Sequence, residues 1–356
     1  MRILSGDIGA THCRFALYSA AHAERPGKNG TASPPVPTDA DGCGAPALAL
    51  LGSRIFRGGD YPSFNAALRT LFADDEGGPA LLDPARLPDA AVIAPAGPVE
   101  GPPGDENCRL ANLPWLVKAS DLRVLLGTGR IRLINDLEAT AWACLLPEAI
   151  AVRPVLPGTA KPGAPAAVTA AGTGFGQALL LSPPADEPMR FARARVLPSE
   201  GGHAEFPFTG AREFAFAAFA AARLGTDRLV CDHIVGGTGL THILAFLGGP
   251  DVGPVEAAAL CPHYPEALEW YARFYGRACR MYVLHTLALG GVYMAGGMAA
   301  RLNVPESPAF AAEFRADSHP SGLMREVPVF HTRDPHAGLL GAAFFGLLRF
   351  GGTVGC

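Results

Sequence analysis

The sequence predicts an α/β protein of two domains, and three observations carry that expectation. The chain has 356 residues, more than one hydrophobic core usually serves. Short β-prone runs alternate with helical stretches along it, the pattern of sheets covered by helices. Finally, "RILSGDIGATHCRFALYS" (2–19) is echoed by "PAAVTAAGTGFGQALLLSP" (165–183). Each is a β-rich approach, a tip rich in Gly and Thr, and a β-rich exit, so two domains built on one plan are expected.

Each element follows in order. Residues 2–18 read as two strands around a glycine turn. Residues 19–46, rich in Pro, Gly, Ala and Asp, read as an exposed loop. "ALALLGSRIFRG" (47–58) resumes a strand, and Phe64, Leu68 and Leu71 have helical spacing within 62–75. "DAAVIAPAGPVEG" (89–101) is a strand entering a turn; "KASDLRVLLG" (118–127) is a short helix with Ser120 as its cap. "RIRLINDLEATAWACLL" (130–146) is a strand, the pair Asn135-Asp136, then a helix. Residues 265–289 form a long helix, and "GGVYMAGGMAAR" (290–301) a strand, a glycine turn at Gly296-Gly297 and a helix start. Residues 336–350 form a closing helix of small and large apolar side chains. The expected division is a small α/β domain over 1–134, completed by helix 337–356, and a large one over 135–336.

Composition narrows the class. Apolar residues make up 49% and charged residues 17%, a globular balance. The net charge of −4 provides no basic field for nucleic acid or an anionic membrane. "MRILSGD" reaches Ser5 and Gly6 too soon for a signal-peptide core, and the longest apolar run, 337–348, is shorter than the roughly 20 residues of a membrane span. Eight cysteines at 13, 43, 108, 144, 231, 261, 279 and 356 form no C-x-x-C pair, which argues against zinc or a disulfide framework. A reduced, cytoplasmic enzyme without nucleic-acid or membrane partners is the expectation.

The glycine-rich tips can support phosphate binding. Backbone N–H groups line a phosphate only where side chains leave room, and Thr adds a hydroxyl donor. Asp7 beside such a tip would repel phosphate unless Mg²⁺ stood between them, so it points to a metal nucleotide; the alternative is a tight hairpin with Asp and Gly as turn formers. No G-x-x-x-x-G-K-[S/T] loop is present, and "GTGFG" leads into a strand, not the helix of a dinucleotide fingerprint. Asn135 reads as a helix N-cap with Glu138 completing a capping box, while Asp136 can also serve as the carboxylate that takes a proton from a hydroxyl nucleophile. "LPSEGGHAEF" (197–206) sets Glu200 and His203 around two glycines. A helical (i, i+3) pairing is not expected there. The loop could bind a polyol or be a polar surface turn, and its donor set is too small for a metal.

Together these stretches resemble the bacterial ATP-dependent glucokinases of the hexokinase/actin-like ATPase superfamily, in that family's order and over nearly the whole chain. "GDIGATHCRFAL" and "AAGTGFG" resemble its two phosphate loops. "APAGPVEG" with "LANLPW", "PSEGGHAEF" and "VCDHIVGGTGL" resemble its sugar segments. "INDLEATAWA" resembles its catalytic segment, "VYMAGGM" its adenosine motif and "HAGLLGAA" its closing helix. The resemblance implies a two-domain actin-like ATPase (ribonuclease H-like) fold with an interdomain cleft that closes on the sugar. It implies ATP and Mg²⁺ as cofactors, glucose or a related hexose as substrate, and a homodimer. It assigns Asp136 as general base for the sugar 6-hydroxyl, and Asn112, Asn135, Asp136, Glu200, His203 and Asp232 to the sugar. It assigns Gly6, Asp7, Ile8, Gly9, Ala10, Thr11, Gly172, Thr173, Gly174, Gly296 and Gly297 to the nucleotide, with Asp7 holding Mg²⁺ through water.

Four residues depart from the family pattern. Ala10 replaces the second glycine of the first loop, His12 stands where Asn is usual, Ala111 replaces a Thr, and Asp232 is one methylene shorter than the usual Glu. These departures keep two alternatives open: a kinase for another hexose, and a catalytically weakened sugar- or nucleotide-binding homologue. The family's relatives with a zinc-binding cysteine cluster after the "GH" match less well, because no cysteine follows His203 until Cys231. No helix-turn-helix extension precedes "MRILSGD", which argues against a sugar-responsive repressor.

Overall fold

The computed structural model describes residues 1–9, 12–20, 48–74, 78–110, 113–184, 186–187, 190–316 and 322–351. Most of the expected 19–46 loop, and the expected site residues Ala10, Thr11 and Asn112, lie outside the described residues. The chain opens with β1 (Arg2–Ile8), β2 (His12–Ala20) and β3 (Leu48–Arg57), then α1 (Phe64–Arg69), β4 (Ala90–Pro95) and a small ribbon of β5 (Asn107–Arg109) and β6 (Leu116–Lys118). Next come α2 (Ala119–Leu126), β7 (Ile131–Leu133) and α3 (Asp136–Ala143). A second series follows: β8 (Arg153–Leu156), β9 (Ala166–Ala171), β10 (Phe175–Leu181), α4 (Arg190–Arg193) and β11 (Arg195–Ser199). It continues through α5 (Gly210–Leu224), α6 (Cys231–Val235), α7 (Gly237–Phe246), α8 (Pro254–Leu260) and α9 (Pro265–Thr286). The chain ends with β12 (Val292–Ala295), α10 (Gly297–Leu302), α11 (Pro308–Arg315), β13 (Val329–His331) and α12 (Ala337–Phe350).

Two compact units result. The first comprises Met1–Pro147, Pro183–Ala194 and His336–Cys356; the second comprises Glu148–Ser182 and Arg195–Pro335. The division therefore follows α3, whereas the sequence reading had put it before that helix. The reason is packing: α3 lies along α12, so closely that a side chain on Gly341 would overlap the Ala139 carbonyl. The segment 183–194 joins the first unit because Phe191 packs edge-on against Phe344 of α12, with ring centroids 5.4 Å apart.

The first unit is built on a sheet of order β3-β2-β1-β4-β7. β1 pairs antiparallel with β2 and parallel with β4, and β4 pairs parallel with β7. β4, "AAVIAP", is buried throughout, as a central parallel strand should be. Side chains of β1 and β2 alternate between faces. Ile3, Ala16 and Tyr18 meet Leu339, Ala343 and Leu347 of α12. Leu4, Phe15 and Leu17 enter a second core with Phe64 and Trp115. α2 begins at Ala119 with Lys118 at its N-cap and no side-chain cap, so Ser120 lies inside the helix rather than capping it.

The second unit has the sheet β11-β10-β9-β12-β13-β8. Its first five strands repeat the order and directions of the first sheet: two antiparallel pairings, then two parallel ones. The expected echo of the two hairpins thus extends to whole sheets. β8 adds an antiparallel edge. An aromatic cluster of Phe216, Phe246, Trp270 and Phe274 fills the core beneath α9. Buried Arg277 of α9 is fully paired there, with Glu213 at 2.5 Å and Glu313 at 3.0 Å.

Candidate active site

In the first unit the C-terminal ends of β1, β4 and β7 share one edge of the sheet, the usual place for a site in an open parallel sheet. Asp7 sits in the last turn of the pleat of β1, opposite Arg14 of β2 and Ala94 of β4. It is therefore within the strand and not at the hairpin tip. Arg14 Nη1 donates to Asp7 Oδ2 at 3.2 Å. Burial pushes the Asp7 carboxyl up, against the lowering influence of Arg14 and His336. The first turn of α12 passes this carboxylate with a bare backbone, since a side chain on Gly338 would come within 3.6 Å of Asp7 Cγ.

Asn135 ends the β7 side. Its Oδ1 accepts from Leu137 N–H at 3.0 Å and Glu138 N–H at 3.4 Å, the expected cap of α3. Its Nδ2 donates to the Gly97 carbonyl at 3.2 Å, and the Asn135 side chain also hydrogen-bonds the Asp136 carboxylate. Asp136, the first helical residue, accepts from Leu137 N–H at 2.9 Å. Burial and then the Asp7 carboxylate push its carboxyl up to about 7, against the hydrogen bonds that favour the anion. Cap and carboxylate coexist, as the sequence allows: Asn135 serves the helix, and Asp136 retains a proton-accepting group matched to neutral pH.

Gly6 and Ile8, expected at the nucleotide, also serve the core. A side chain on Gly6 would stand 2.8 Å from Ile93 and 2.9 Å from Phe15, so this glycine makes room for the core. Ile8 is buried in that core. Gly9 closes the tip by donating to the His12 carbonyl at 3.1 Å.

In the second unit the turn after β9 is built from short contacts. Gly172 N–H donates to the Gly174 carbonyl at 2.8 Å, and Gly237 N–H is shared by the carbonyls of Gly172 (3.0 Å) and Thr173 (3.2 Å). Phe175 N–H donates to Asp232 Oδ1 at 2.6 Å. The Thr173 and Gly174 amides donate to no group among the described residues, and Gly172 and Thr173 are exposed. Consecutive free amides in such a turn form an anion-binding nest. Gly296, at the end of β12, has φ 89° and ψ 156°, a conformation essentially restricted to glycine. A side chain there would press on the Ala171 carbonyl at 2.5 Å. The adenosine-motif glycine therefore abuts the base of the same turn, and Gly297 beside it has open space.

Glu200 and His203 do meet, contrary to the sequence expectation. Residues 201–203 form one 3₁₀ turn, which brings i and i+3 into line, and His203 Nδ1 lies 3.1 Å from Glu200 Oε2. Both side chains are largely exposed. Gly202 is needed because a side chain there would overlap the Phe175 carbonyl, whereas one on Gly201 would meet the movable ends of the Gln177 and Ser199 side chains. Asp232, expected on the sugar, accepts the Phe175 N–H through Oδ1. Sequence reasoning overlooked Arg14, Gly97 and Gly237. Hairpin register could have found Arg14, since it faces Asp7 across the strands; nothing local signals the other two.

No group of three or more His, Cys, Asp or Glu side chains among the described residues is arranged to hold a metal ion. Cys13, Cys108, Cys144, Cys231, Cys261 and Cys279 are free and buried. No helix among the described residues is long and apolar enough to cross a membrane.

A family model described as glucokinase matches residues 45–348. The chain belongs to the glucokinase family. A glucokinase of Pseudomonas paraeruginosa is 30% identical to it over 95% of this chain and 90% of that protein. One from Mesorhizobium japonicum is 29% identical over 96% and 91%. Among solved structures, a glucokinase from an Antarctic psychrotroph superposes on this glucokinase-family chain with TM-score 0.73 at 23% identity, covering 97% and 98% of the two chains. A Streptomyces griseus ROK-family glucokinase in complex with glucose and AMPPNP superposes with TM-score 0.54 at 15% identity, covering 97% and 99%. These structures share the two-domain actin-like ATPase fold.

Proposed function

We propose that this chain is an ATP-dependent glucokinase that phosphorylates the 6-hydroxyl of glucose to give glucose 6-phosphate and ADP. The observation that carries the reading is Asp136, a carboxylate at the end of a parallel strand whose burial and neighbour bring it to about 7. Ionised Asp136 accepts the proton of the 6-hydroxyl while that oxygen bonds to the transferred phosphorus. Mg-ATP, when bound, supplies the phosphoryl group. The free amides of Thr173 and Gly174 fit its phosphates, and Gly297, with open space where a side chain would stand, leaves bare backbone for its nucleoside beside Gly296. Asp7 fits Mg²⁺, which needs only one or two carboxylates when phosphates complete its shell.

Family resemblance, together with their exposure and mutual contact, supports Glu200 and His203 as ligands of sugar hydroxyls. Asn112 and Asn135 join them by resemblance. Resemblance also supports a homodimer and a cytoplasmic location.

A coupled ADP-release assay with glucose and Mg-ATP tests the reading. Turnover should depend on the sugar and disappear in Asp136→Ala; a wild type no faster than that variant would sink the kinase assignment. A panel of hexoses in the same assay distinguishes glucose from another acceptor, and gel filtration tests the dimer.

A further inference from the structure

Asp232 is bound into the turn that the resemblance reserves for phosphate. Its Oδ1 takes the Phe175 N–H at 2.6 Å, and a side chain on Gly174 would overlap that oxygen and stand 3.4 Å from Oδ2. The carboxylate therefore lies against the backbone of the turn. Five residues on, Gly237 N–H holds the carbonyls of Gly172 and Thr173. Phe175 itself is fixed, 3% exposed and packed edge-on against Tyr275. Between them, these contacts use both end amides and the carbonyls of the turn. Of the turn's amides, those of Thr173 and Gly174 donate to no group among the described residues.

We propose that Asp232 is a positioning residue for this phosphate turn. Its carboxylate holds the Phe175 amide so that the two preceding N–H groups stay available to the phosphates of a nucleoside triphosphate. The identity of that anion rests on the kinase reading above; the clamp itself rests on the geometry. Without its acceptor the Phe175 N–H is a buried orphan, and the turn can satisfy it only by rotating the peptides that should receive phosphate. The short side chain suits this task. A glutamate at this position carries its carboxylate one methylene further and cannot keep the same contact with Gly174.

Calorimetric titration with Mg-AMPPNP and, separately, with glucose tests the assignment on the full-length protein. D232A should weaken AMPPNP binding about tenfold. D232N keeps an acceptor oxygen, removes a negative charge near the phosphates and should bind AMPPNP at least as well as wild type. D232E is the second variant should D232A fold poorly; it should lose AMPPNP affinity although its charge is kept. Amide hydrogen exchange at Phe175 should accelerate in D232A and D232E but not in D232N. Weakened glucose binding with intact AMPPNP binding, or unchanged AMPPNP binding in D232E, overturns the proposal. A wild type that binds AMPPNP but shows no sugar-dependent ADP release sinks the kinase reading and leaves the clamp standing. A wild type that binds no nucleotide overturns both.

Discussion

At the ends of the three parallel strands of the first sheet stand Asp7, Gly97 and the pair Asn135-Asp136; at the matching ends of the second stand Gly172, Gly296 and Thr332. The correspondence extends to single bonds. Ile134 N–H donates to the Ile93 carbonyl in one unit, and Thr332 N–H to the Met294 carbonyl in the other. Yet one edge carries two buried carboxylates, of which Asp7 raises the proton affinity of Asp136, and the other carries exposed backbone amides. The same scaffold thus supplies a proton acceptor in one copy and an anion cradle in the other. Bare glycine in the place of Asp136 could accept no proton.

The sharpest way to break that division is at Asp136. Asp136→Ala should lower kcat by about 10²–10⁴, with little change in the ATP KM, as read by coupled ADP release. In wild type, kcat/KM should fall as pH drops below about 7, because the protonated carboxyl cannot act as a base. A flat profile from pH 5 to 8 would remove Asp136 from that role.

Stability should report the same site with its own sign. The folded-state pKa of Asp136 lies above its unfolded value, so the stabilisation is complete below about pH 4 and is lost as pH rises through about 7. Asp136→Asn should therefore be more stable than wild type at pH 8, by on the order of a few kcal/mol at most, and equal to it near pH 4. Urea titrations at the two pH values check this.

Glycines separate the two edges next. Gly6→Ala should destabilise the protein by about 1–3 kcal/mol through overpacking, with the ATP KM of the folded enzyme unchanged. Gly172→Ala, where no atom lies within 4 Å of the new methyl, should leave urea stability nearly unchanged and raise the ATP KM several-fold. The smallest effect belongs to Arg14→Gln. Its partly exposed bridge to Asp7 should be worth about 0.2–1 kcal/mol, read by the same denaturation.

Much of this was legible in the chain. The hairpins announced themselves because strand-forming runs flank tips that only small residues suit, and Asn135 with Glu138 is a local cap signal. What escaped was non-local or misjudged in scale. Asp232 meets a partner 57 residues earlier in the chain, which no spacing rule reaches. The boundary was set too early because α3 is held by α12, some two hundred residues on. Gly201-Gly202 reads as a helix breaker on α-helical energetics, yet one 3₁₀ turn needs neither length nor propensity, and Gly202 is required by its contact with the Phe175 carbonyl of β10. Ser120 reads as a cap although the helix begins one residue before it.

The placement of α12 has a consequence for synthesis. It covers one face of the first sheet, against Ile3, Ala16 and Tyr18, but it is translated after every strand of both sheets. At about 5–20 residues per second, a ribosome needs roughly 10–40 s to travel from β7 to α12. For that interval the nascent first sheet lacks its cover and exposes the apolar faces of β1 and β2. The second unit, whose elements are contiguous apart from one short excursion, can close first. Chaperone dependence should therefore follow the first unit, and slowing translation downstream of β7 should prolong its exposure.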